Sequence, residues 1–83
     1  MKNVKFEKLN ETVKGEKYYL LFKVSTESKS GYCIAVEDDG LCVEGMGSDV
    51  SRAKEMYNMI SCAEVSAIHI SEVVRDLQNE IFV

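Results

Sequence analysis

No proline and no tryptophan occur in this chain, and its only histidine is His69. Without proline there is neither a cis-proline turn nor a proline-rich docking segment. A single histidine leaves few routes to imidazole proton transfer or metal ligation. The three cysteines are an odd count and a poor disulfide framework, which points to a reducing compartment. Long hydrophobic runs are also missing, since the longest, residues 18–22, is far too short to span a bilayer. The opening stretch MKNVKFEKLNETVKGEK is charged throughout and does not suit a signal peptide. These absences lead to the expectation of a cytoplasmic protein with no membrane association.

The composition that is present, 46% hydrophobic and 29% charged over 83 residues, is globular and fits one domain over residues 1–83. A net charge of −4 argues against a nucleic-acid partner, whose phosphates attract basic surfaces. The charge is uneven: residues 1–30 hold seven Lys and four Glu, residues 31–83 three Lys/Arg and ten Asp/Glu. Such a split suits either a dipolar surface that orients association or simply solvated strands and helix faces.

The first half reads as strands, spanning about residues 3–46. In NVKFEK, Val4 and Phe6 alternate with Lys5 and Glu7. KYYLLFKVST is dense in aromatic and branched residues and should be a central strand, with Tyr18, Leu20, Phe22 and Val24 on one side and Tyr19, Leu21 and Lys23 on the other. Between the next two strands, YCIAVED and LCVEGM, Asp39-Gly40 predicts a two-residue hairpin. That register sets Val36 across from Val43 and groups Ile34, Val36, Leu41 and Val43 on one face.

The second half reads as helices over about 49–61 and 67–80. The first is capped by Ser48 or Asp49, with Val50, Ala53, Tyr57 and Ile60 as its apolar spacing. The second follows Ser66, with Ile70, Val73, Val74, Leu77 and Ile81 as its stripe. Strands followed by helices predict an α+β fold, an antiparallel sheet of about four strands with two helices packed on one face.

Candidate chemistry is sparse. Cys33, Cys42, Cys62 and His69 lack the paired spacing of a zinc site, and no metal or other cofactor is expected. Cys62 and His69 are near in sequence, but a lone pair without a third member is weak ground for cysteine catalysis. Glu37, Asp38 and Asp39 at the hairpin tip, and Glu72, Asp76 and Glu80 along the last helix, read as solvated carboxylates. With Ser66 as N-cap, His69 falls at the capping-box position, a structural role at a helix start.

The feature that asks for a function is a second apolar sheet face. The sequence assigns it Tyr19, Leu21, Cys33, Ala35, Cys42 and Met46, relieved only by Lys23, Glu37 and Glu44, and such a face needs a cover. The continuation of the first strand, the segment IFV at 81–83, or another chain are the candidates for that cover.

GYCIAVED in a mid-chain strand and SAIHISEVVRDL at 66–77 resemble a family of small uncharacterised proteins of Gram-positive anaerobes, a domain of unknown function. Its members carry Gly-Tyr-x-Ile-x-Val and Ser-Pro-x-His-Leu-x-x-Val-Val-x-Asp-Phe. The likeness covers about residues 17–78, and its signature falls on Ser66, His69, Val73, Val74 and Asp76. Ala67, Ile70 and Leu77 depart from it, replacing Pro, Leu and Phe, and proline at position 67 would suit the first turn of a helix. The resemblance implies a fold and no activity, cofactor or ligand. The functional expectation is a non-enzymatic interaction module, acting as a homodimer or on a protein partner. A small-ligand sensor with its site between sheet and helices is the alternative.

Overall fold

The computed structural model describes residues 3–81, with side chains as far as Asn79. Its elements run β1 (Lys5–Lys14), β2 (Lys17–Ser25), β3 (Ser30–Glu37), β4 (Leu41–Gly45), α1 (Val50–Cys62), a 3₁₀ turn (Ala67–His69) and α2 (Ile70–Ile81). The strands form one antiparallel sheet in chain order β1-β2-β3-β4, and both helices pack on the same face of it. This is the expected α+β architecture.

Short local signals explain most of the strand connections. Lys14 pairs with Lys17, leaving Gly15-Glu16 as a two-residue hairpin whose glycine takes φ +62°. Glycine reaches that left-handed region without a Cβ clash. Partway along β1 the register shifts between Lys8 and Asn10, so that Leu9 is an extra residue, half-buried against the core. A bulge of this kind twists an edge strand and blunts its pairing surface, as do Lys5, Lys8 and Lys14.

The hairpin between β3 and β4 differs from expectation. Glu37 pairs with Leu41 and Val36 with Cys42, so the loop has three residues, 38–40, and β4 is shifted by one position. The cause is Asp38, whose carboxylate takes the Gly40 N–H at 3.2 Å and the Ala67 N–H at 3.1 Å, drawing this residue out of the ladder. Because side chains alternate, the slip exchanges the faces of β4. Cys42, Glu44 and Met46 turn toward the helices, and Leu41 and Val43 turn away. A second difference lies between β2 and β3, where Tyr19 pairs with Val36 and Leu21 with Ile34.

The core is therefore the face built from Tyr19, Leu21, Ile34, Val36 and Met46, closed by Ala53, Met56, Tyr57 and Ile60 of α1 and Ile70 and Val74 of α2. Fully burying a side chain of the Leu or Ile class is worth about 1.5–3 kcal/mol, so this layer dominates the stability. Met56 completes the α1 stripe at a position the sequence reading omits, while Val50 is exposed. The Tyr57 hydroxyl donates to the Tyr19 carbonyl at 3.2 Å and lies 2.7 Å from Thr12 Oγ1, and the Tyr19 hydroxyl donates to the Val65 carbonyl at 2.8 Å. Both buried phenols are thus satisfied, and burial pushes both above their ordinary pKa.

Caps define the helices. Asp49 accepts the Arg52 N–H at 3.1 Å at the start of α1. The helix ends in a Schellman arrangement: Val65 N–H donates to Ile60 O, Glu64 N–H donates to Ser61 O, and Glu64 stands at φ +54°. In α2, Val73 and Leu77 are half-buried beside the core. The side chains of Glu80 and Ile81, and the segment 82–83, lie outside the described residues.

Candidate interaction surface

The proposed second face exists in outline but with different members. Tyr19, Leu21 and Met46 are buried under the helices, and Cys42 is half-buried there with its thiol 3.7 Å from Ser71 Oγ. Only Cys33 and Ala35 of the expected set lie on the uncovered side. The mixture arose because both neighbours of β3 are offset in parity from the inferred register, which exchanges their faces.

The open face is assembled strand by strand from paired residues. Tyr18, Leu20, Phe22 and Val24 of β2 stand beside Val13, Glu11, Lys8 and Phe6 of β1. On the other side they meet Glu37, Ala35, Cys33 and Gly31 of β3. Beyond these, Leu41, Val43 and Gly45 of β4 complete the row. Phe6, Val13, Leu41 and Val43 are 70%, 67%, 69% and 51% exposed, so large apolar side chains stand in water across the sheet. The Phe6 and Phe22 rings pack at 6.2 Å between centroids with a 49° tilt, and a shallow depression lined by Phe6, Lys8, Leu20 and Phe22 sits beside them.

Polar groups on this face neutralise one another at its β1 side. Lys8 Nζ contacts Glu11 Oε1 at 2.7 Å, and the Tyr18 hydroxyl donates to Glu11 Oε2 at 2.7 Å. The hydrogen bond to Lys8 holds the Glu11 carboxyl below its usual range, and the bond from Tyr18 adds to this; in return Glu11 raises both Lys8 and Tyr18. Burial alone pushes the Cys33 thiol up, which makes it a poorer nucleophile near neutral pH.

Two gradients run across the sheet. Residues 5–25, holding β1 and β2, carry five Lys and three Glu, whereas residues 30–45, holding β3 and β4, carry four carboxylates and no basic residue. Side-chain size follows the same direction. The open face is large over β1 and β2, with Phe6, Tyr18, Leu20 and Phe22, and mostly small over β3 and β4, with Gly31, Cys33, Ala35, Val43 and Gly45, Glu37 and Leu41 beside the hairpin being the exceptions.

The other candidates fall elsewhere. His69 is exposed at the end of the 3₁₀ turn, its N–H bonded to Ser66 O at 3.0 Å. Ser66 has the extended backbone of an N-cap, but its side chain caps nothing. Asp38 takes that role from across the fold, so this carboxylate is structural rather than merely solvated. Cys62 is exposed at the end of α1, and among the described residues no hydrogen bond joins it to His69 and no cluster of His, Cys, Asp or Glu could hold a metal ion. Val73 and Val74 pack toward the core, and Asp76 is exposed. Among the described residues no helix is long and apolar enough to cross a membrane. No protein-family model, curated protein or solved structure matches the chain.

Proposed function

We propose that this chain is a non-enzymatic interaction module of the cytoplasm that works by association through its open sheet face, without nucleic acid or membrane. The observation that carries the reading is the row of exposed Phe6, Val13, Leu41 and Val43 around half-buried Leu20 and Phe22. Antiparallel sheets with one wet face normally make it polar, and contiguous apolar patches mark interfaces. Resemblance to the family of unknown function adds a fold and no chemistry. The sensor alternative finds less support, because Tyr19, Tyr57, Leu21 and Met56 fill the space between sheet and helices.

Photo-cross-linking in cells tests the reading. A benzophenone amino acid in place of Phe22 is expected to give discrete protein adducts, while the same probe in place of exposed Lys54 on α1 gives none. Equal labelling from both positions, or none from Phe22, would contradict it.

A further inference from the structure

The gradient of side-chain size across the open face identifies what covers it. We propose that two copies of this chain pack open face on open face about a two-fold axis running along the strands. The β1–β2 half of each copy then lies over the β3–β4 half of the other. This inference rests on the association reading and names its partner, a second copy.

In a face-to-face pair, an axis along the strands reverses left and right, so β1 of one copy lies over β4 of the second. An in-plane axis across the strands would instead stack each strand on its own counterpart. Few charges enter the contact: the charged strand residues on the open face are Lys8, Glu11 and Glu37, and Lys8 and Glu11 are already paired with each other at one side of it.

Shape chooses between the two axes. Phe22 is level with Cys33, and Leu20 with Ala35. Next to the axis, Phe22 therefore sits over Cys33 of the second copy and Leu20 over its Ala35, large over small, which lets the two faces interlock. The alternative axis sets Phe22 and Leu20 against their own kind on one side and leaves a gap over the small residues on the other.

Area is sufficient. Four strands ~4.8 Å apart and about eight residues long at ~3.3 Å rise make a flat face of roughly 500 Å² per copy. Two such faces reach the ~1,000 Å² that a specific interface needs, at the low end where association is reversible and concentration-dependent. Edge-to-edge pairing competes poorly, since β1 is bulged at Leu9 and carries Lys5, Lys8 and Lys14.

The cysteines provide the test in the natural sequence. Cys33 lies in the proposed contact and Cys62 is exposed at the end of α1, away from it. Purified protein is alkylated with iodoacetamide over a dilution series, with the modification of each cysteine read by peptide mass spectrometry. Cys33 should become several-fold less reactive as concentration rises, with Cys62 unchanged. Ala35→Lys, checked for folding by circular dichroism, should keep Cys33 reactive at every concentration. Concentration-independent Cys33 reactivity in the natural protein would overturn the dimer, and protection of Cys62 instead would place the contact on the helical side. If the dimer fails, a heterologous adduct from the Phe22 probe would still uphold association through this face, and its absence would end both.

Discussion

Asp38 and Ala67 are 29 positions apart, yet the Asp38 carboxylate accepts the Ala67 N–H at 3.1 Å. One bond thereby ties the tip of the β3–β4 hairpin to the entrance of the second helical segment. Its other oxygen holds the Gly40 N–H, so the same side chain shapes the loop and caps the helix. Asp38→Ala is expected to lower the melting temperature, whereas Asp39→Ala, at the exposed neighbouring position, should leave it nearly unchanged. Equal effects from the two would show that the bond does not stabilise the fold.

The same group sets a pH dependence. Its bond from Ala67, and then that from Gly40, hold the Asp38 carboxyl below its ordinary pKa. The ionised form is thus favoured by folding. Its contribution is fully present above the unfolded value of about 3.9 and is lost as pH falls through the lower folded value. Thermal melts between neutral pH and pH ~3 should show the stability gap between the natural protein and Asp38→Ala closing only below about pH 4. A gap that stays constant throughout would contradict this assignment.

This bond also accounts for what could be read from the sequence and what could not. The strand–strand–strand–strand–helix–helix order, the two faces of β2 and most of the helix stripes follow from local periodicity. Asp39-Gly40 predicts a two-residue hairpin from local chemistry alone, but Asp38 is engaged by Ala67, far along the chain, and the loop gains a residue. A slip of one position then moves Leu41 and Val43 from the core to the open face. Periodicity also cannot say which of two apolar faces receives the helices. Tyr19 and Leu21 read as interface for that reason, although they belong to the core.

Glu64 stands at φ +54° at the end of α1, where glycine is the usual residue. A side chain in the left-handed region costs about 1–2 kcal/mol, partly offset by the greater freedom of unfolded glycine. Glu64→Gly should therefore raise stability by up to about 1 kcal/mol in denaturant titration. A decrease would mean that the Glu64 side chain contributes more than its backbone conformation costs.

Val74 is buried at the α2–sheet contact, while Ile68 is 83% exposed. Val74→Asp leaves an unpaired charge in the core and is expected to abolish cooperative unfolding. Ile68→Asp should keep the natural melting curve. A folded Val74→Asp protein would refute the facing of α2.

The central claim, association through the open face, meets its most direct test in sedimentation velocity of the purified chain from about 1 to about 100 µM, the range suited to a small interface. The account predicts a shift from the 9.3 kDa monomer to twice that mass, absent in Ala35→Lys. A monomer throughout, or a dimer that Ala35→Lys leaves intact, would contradict it.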